Sequence, residues 1–171
     1  MTGKSSEFAR LVPLARLGSE PFNQHIAASE AERAALARRF ELVSLDRLEA
    51  DVQLLQEAAG TVLLSAAFKA EFAQECIVTL DPVAGSVSEC FELRYGPAEA
   101  EEETPAGDDD PAFEPLSGEA IDIGEAVAQE FALALPPFPR AVDATVEAGA
   151  LEPPGEGPFA SLAKLSRREP Q

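Results

Sequence analysis

The chain has no tryptophan, and only one tyrosine, one histidine, one methionine and two cysteines among its 171 residues. Each scarcity closes off a class of function. The lone histidine, His25, lies in a polar stretch before the first helix signal, with no nucleophile beside it, so nothing supports a Ser-His or Cys-His catalytic set. Two cysteines, Cys76 and Cys90, are too few for a disulfide framework. With one distant histidine they also fall short of the four ligands of a closed zinc site, so both are expected to be buried thiols. Basic side chains are scarce as well: thirteen Lys and Arg face thirty-one Asp and Glu, a formal charge of -18. Nucleic-acid binding relies on Lys and Arg neutralising phosphates, and a field of this sign repels RNA while attracting basic proteins. No run approaches the roughly 20 apolar residues that cross a bilayer. Residues 1–17 lack the continuous apolar centre of a secretory signal. The expected address is the cytoplasm, with reduced thiols and no membrane contact. Neither phosphate-binding glycine motif is present, and no cofactor is expected.

What is present supports one core. The hydrophobic share is 46%, and a chain of this length buries roughly two thirds of its unfolded surface. Residues 7–17 carry spaced apolar side chains around Pro13 and read as an extended opening strand. Ser29 followed by Glu32 is a capping box, and residues 30–40 form a helix of about three turns. Alternation then takes over. Leu48, Ala50, Val52 and Leu54, and later Val62, Leu64, Ala66, Phe68, Ala70 and Phe72, place apolar groups two apart. Residues 76–80 continue with strand formers, Asp81-Pro82 turns, and residues 87–95 form another strand. Residues 96–118 are rich in Glu, Asp, Pro and Gly and read as a mobile acidic loop, too polar to offset its ordering entropy. Asp122 opens a helix whose apolar face repeats at Ile123, Val127, Phe131 and Leu135, and Pro136-Pro137 stops it.

The resulting expectation is an α+β fold. An antiparallel sheet, open or curled toward a barrel, carries two main helices and a short C-terminal amphipathic helix at residues 158–165. Residues 1–140 form the domain, residues 141–157 a Pro/Gly/Glu linker, and residues 158–171 a terminal motif and tail.

Four pieces, in order, carry a family resemblance. They are Glu7-Phe8-Ala9-Arg10; Glu75-Cys76-Ile77-Val78-Thr79-Leu80-Asp81-Pro82-Val83; the helix from Ile121 to Pro136 with Pro139 after it; and Pro158-Phe159-Ala160-x-Leu162-Ala163-x-Leu165. Together they resemble the YceD family, the large ribosomal RNA subunit accumulation proteins, from near residue 7 to near residue 166, and the form of the Cys76 segment is similar to the alphaproteobacterial branch. Many relatives carry C-x-x-C there. This chain keeps Cys76 and has Thr79 where the second cysteine would fall, so a metal or redox role does not carry over. The resemblance implies a non-catalytic role in large-subunit biogenesis, supporting synthesis, processing or accumulation of 23S ribosomal RNA.

Charge and resemblance together point to a basic ribosomal or rRNA-associated protein as partner, with long-range attraction raising the on-rate and apolar contacts setting specificity. The candidate partner-binding residues are Pro136, Pro139, Phe159, Leu162 and Leu165. Each also has a plainer role, the prolines ending a helix and the terminal motif docking back on the sheet. The alternative is direct rRNA binding, which requires Arg10, Arg16, Arg33, Arg38, Arg39 and Lys164 to gather on one face. An enzyme would need acids converging in a pocket, whereas the most visible acids here lie in a loop unsuited to preorganised chemistry. The oligomeric state stays open.

Overall fold

The computed structural model describes residues 6–97, 111–116 and 118–145. The expected terminal helix and the candidate residues Phe159, Leu162 and Leu165 lie outside the described residues. The chain divides into two units, residues 1–141 and 142–171, and all the described strands and helices belong to the first.

The architecture is α+β. Five strands form one sheet in the order β2-β3-β4-β5-β6: β2 Phe22–Ala27, β3 Ser44–Gln56, β4 Val62–Glu75, β5 Pro82–Gly96 and β6 Ala112–Pro115. The first four run antiparallel as a meander, whereas β6 joins β5 parallel. The sheet is therefore mixed and open, with β2 and β6 at its ends, and it does not curl into a barrel. A second ribbon pairs β1, Leu11–Pro13, with β7, Ala120–Asp122. Two helices complete the unit, α1 at Glu30–Arg39 and α2 at Ile123–Ala134.

Alternation dictates the core face. Leu48, Ala50, Val52 and Leu54 on β3 and the six apolar residues from Val62 to Phe72 on β4 are all buried. The apolar phase changes from odd to even residues between Leu45 and Leu48 because a bulge lies between Leu45 and Arg47, where one extra residue resets which face each side chain takes. α1 begins with the expected box: Ser29 caps Glu32 N–H, and the Glu32 carboxylate accepts from Ser29 N–H. Its end is a Schellman turn. Leu42 N–H donates to Ala37 O at 2.8 Å, with Glu41 in the left-handed region at φ 55°.

Three expectations are corrected. The opening segment is a strand only over Leu11–Pro13, then a 3-10 turn at Leu14–Arg16. Residues 76–80 are a turn rather than a strand, because the Cys76 side chain captures backbone N–H groups that a ladder would use. The acidic stretch contains β6, whose Phe113 ring lies against the Gly96 backbone. One strand, β2, went unread. Its Asn23, Gln24 and His25 disguise an alternation of Phe22, Gln24 and Ile26 opposite Leu54, Val52 and Ala50.

α2 is seated by one aromatic ring. Phe131 is fully buried and meets Phe40, Phe68 and Phe72 edge-to-face, with centroids 5.9, 6.5 and 5.6 Å away. At the other end of the helix, Asp122 Oδ1 accepts from the N–H groups of Gly124, Glu125 and Arg10. Gly124 is required there, since a Cβ would stand 1.8 Å from the Phe8 carbonyl oxygen. Phe131→Ala should therefore destabilise the protein by about 3–5 kcal/mol in urea unfolding followed by far-ultraviolet circular dichroism. A loss below about 1 kcal/mol would show that the ring does not hold α2.

Candidate functional site

The β4–β5 turn and the chain leaving α2 are tied together. β4 ends at Glu75, and the next residues fold back through Leu80 N–H donating to Cys76 O and Cys76 N–H donating to Asp81 O, each at 2.9 Å. Pro136-Pro137 ends α2, and the segment after it docks on this turn. Gln74 Nε2 donates to Pro136 O at 3.2 Å, and Ile77 N–H donates to Pro139 O at 3.0 Å. Two of the five candidate residues thus offer backbone carbonyls to the turn. Around them Ile77, Leu80, Leu133 and Phe138 are exposed, Phe138 by 74%. Leu80 also has φ 64°, a left-handed conformation that costs a branched residue about 1–2 kcal/mol. Sequence reading singled out the prolines but missed this apolar set. The signal was Ile77 ahead of, and Leu80 within, a Thr-Leu-Asp-Pro turn, masked by the strand propensity of the segment.

Cys76 is the pivot of the turn. Its Sγ accepts from Val78 and Thr79 N–H at 3.5 Å and from Ala141 N–H at 3.4 Å. The Thr79 hydroxyl is the leading donor, ahead of these N–H groups, and together they hold the thiol down at about 7 from its ordinary 9.0. The side chain is buried, while Cys90 is exposed. Two buried thiols were expected; Cys90 differs because its side chain projects from the solvent face of β5, opposite Ala67.

Four arginines elsewhere, Arg10, Arg39, Arg47 and Arg94, are paired with carboxylates. Arg10 forks onto Glu32 at 2.7 and 3.0 Å, and Arg39 spans Glu7 and Glu125. Arg94 meets Glu57 at 3.0 Å, and Arg47 pairs with Glu49 and Glu71. These contacts hold Glu32, beside Arg10, and Glu125, beside Arg39, at about 2. Of the set that direct RNA binding would need, Arg10 and Arg39 are in these pairs and Arg16 lies over the Phe22 ring. Arg33 donates to Ala28 O and keeps a buried Nε without an acceptor; Lys164 lies outside the described residues. His25 is on β2, on the exposed face, with Nδ1 2.8 Å from Asp51 Oδ1. A cleft of about 470 Å³ beside α1 is lined by Glu30, Arg33, Arg38, Leu42, Val43 and Asp46 among others. Among the described residues no three His, Cys, Asp or Glu side chains are placed to hold a metal ion, and no helix is long and apolar enough to cross a membrane.

A scan of family models matches residues 64–166 to YceD, described as large ribosomal RNA subunit accumulation protein. The chain belongs to the YceD family. The match covers more than half of the 171 residues and contains β4 from Leu64 onward, the Cys76 turn, β5, β6 and α2. The family's description ties it to accumulation of large-subunit ribosomal RNA and names no reaction. Searches of curated proteins and of solved structures found no match.

Two titrations test this geometry. Glu32 and Glu125 have folded values below the ordinary 4.5, so their contribution is present above pH 4.5 and lost as pH falls toward 2. Urea stability should drop across that window, and Glu125→Gln should flatten the drop; an unchanged slope would show that the Arg39 pair contributes nothing to it. In a Cys90→Ser background, the thiolate absorbance of Cys76 should titrate near pH 7, and Thr79→Val should move the midpoint up. Its stabilising effect should be complete above pH 9.0 and fade as pH falls through about 7. A midpoint at or above 9.0 in the parent would refute the donor cage.

Proposed function

We propose that this YceD-family chain acts without catalysis, by binding a basic protein of the large ribosomal subunit or its assembly intermediates, and so supports 23S ribosomal RNA accumulation in the cytoplasm. The observation that carries the proposal is charge. Acids exceed bases by eighteen, and four of the described arginines, at 10, 39, 47 and 94, are already paired with glutamates. What faces solvent is therefore a negative field that draws in basic surfaces and repels phosphate. The exposed apolar set at Ile77, Leu80 and Phe138, held by the Pro136 and Pro139 carbonyls, supplies short-range contacts of the kind that fix an orientation once attraction has brought the partner in. Pro136 and Pro139 shape this surface, and Phe159, Leu162 and Leu165 are proposed as further partner-binding residues.

Depletion of the protein in its source cells, with a rescue copy as control, should lower 23S relative to 16S ribosomal RNA. An unchanged ratio under verified depletion would reject the biogenesis role. Purified basic large-subunit proteins should bind at low salt and weaken at least tenfold as ionic strength rises to a few hundred millimolar, because surface attraction is screened over about 8–10 Å. Binding of 23S fragments in preference to those proteins would favour the direct-RNA alternative.

A further inference from the structure

The strand lengths of the sheet do not match. β4 pairs with β5 along its whole length, from Val62↔Tyr95 to Glu75↔Pro82, whereas β6 covers β5 only from Leu93 to Gly96. Among the described residues nothing pairs with the outer edge of β5 before Leu93. The direction of its free groups follows from one bond. Gly96 O accepts from Leu116 N–H at 2.8 Å on the outer side, and backbone groups switch sides at each residue along a regular strand. The β4–β5 register has no bulge, so the even residues from Ala84 to Glu92 direct N–H and C=O outward.

Natural sheets usually guard such an edge with proline, lysine, a bulge or a covering element. Between Val83 and Glu92 there is no proline, no lysine or arginine and no bulge. What the edge does carry is apolar and acidic. Val83, Val87 and Phe91 are half-buried on the core face, and Phe91 packs edge-to-face on Phe68 at 6.1 Å. Glu89, opposite the buried Phe68, shares that face. Glu89 and Glu114 of β6 act on Glu130 of α2, whose carboxyl is pushed above its ordinary value by partial burial and by these two like charges. Glu89 and Glu114 thus set two like charges on Glu130 beside the open end of the ladder, and a cation there would relieve it.

We infer that the outer edge of β5, from Ala84 to Glu92, takes an extended, basic segment of the partner protein as an added strand. This rests on the proposed basic partner and says how it is held. Main-chain bonds to the even residues supply affinity without demanding a sequence. Alternate side chains of the added strand then lie on the core face, where apolar ones cover Val87 and Phe91 and lysine or arginine meets Glu89 and Glu130. The segment begins next to the exposed Ile77–Leu80 turn, so both contacts form one continuous surface.

The test uses the full chain and a synthetic peptide repeating Lys-Thr-Val-Thr, which as a strand alternates lysine and valine along one face, with a helix-forming lysine peptide of equal charge for comparison. At low salt the alternating peptide should bind the tighter of the two, and the amides of Ser86, Ser88 and Cys90 should exchange quickly in the free protein and become protected on binding. Ser88→Pro removes one outward N–H and no β4 bond, a substitution edge strands tolerate, and should weaken the alternating peptide at least tenfold. Glu89→Lys, which leaves the backbone intact, should weaken it too and favour a glutamate-valine version. Equal binding by the parent and both variants overturns the edge and leaves the basic-partner reading standing. Slow exchange of those amides in the free protein means that the chain already covers its own edge, and likewise overturns the inference. Failure of both lysine peptides to bind at low salt counts against both readings.

Discussion

The seating of α2 on the sheet rests on Phe131. Its ring touches the end of α1 through Phe40 and the centre of β4 through Phe68 and Phe72. Helix, helix and sheet therefore share one contact, and each neighbour sits at an angle to the ring that favours the edge-to-face arrangement. The N-terminal segment and the candidate surface hang from the two ends of that helix. At its start, Asp122 gathers three N–H groups and Gly124 lets the Phe8 carbonyl approach, which ties the N-terminal segment down. At its end, two prolines release the chain at the place where it can dock on the Cys76 turn.

The acid surplus has a structural counterpart. Glutamates at 7, 32, 57 and 125 hold arginines from distant parts of the chain, so the basic groups serve closure of the fold. Arg39 alone links the N-terminal segment, α1 and α2. Pairs at this level of exposure contribute modestly to stability. Each such pair cancels one acid against one base, so the excess of eighteen acids over bases remains to set the field outside. Internal pairing and external attraction to a basic surface are thus two results of one composition.

Much of this was legible from residue order, for identifiable reasons. The capping box at Ser29 and Glu32 and the four-residue repeat through Ile123, Val127 and Phe131 encode local geometry, which tertiary context had no cause to override. β3 and β4 announce themselves because one face is buried along their whole length, and even the phase change at Leu45–Leu48 carries the bulge. Ile77-Val78-Thr79 misled because β-branched side chains suit a strand, and the thiol acceptor that bends them depends on Ala141, sixty-five residues away. β2 and β6 were obscure since edge strands bury little. The surface of interest was half-read: the prolines stand out in sequence, whereas the β5 edge exists only through the lengths of its two neighbours.

An open edge is a hazard in any protein, since two copies can zip together along it. Here the same charge that would recruit a basic strand opposes that error. Two copies approaching edge to edge bring -18 against -18 and set Glu89, Glu92, Glu114 and Glu130 of one against those of the other. Like charges placed across a strand pair are destabilising, and Glu130 is already above its ordinary value from its own neighbours. A basic strand meets none of this repulsion and gains at each step where a copy of the chain would lose. The acidic composition therefore acts as a filter on the edge as well as a source of attraction. A guard of proline or lysine would have closed β5 to every partner, whereas carboxylates close it to acidic ones, this chain included, and leave it open to the basic strand proposed above.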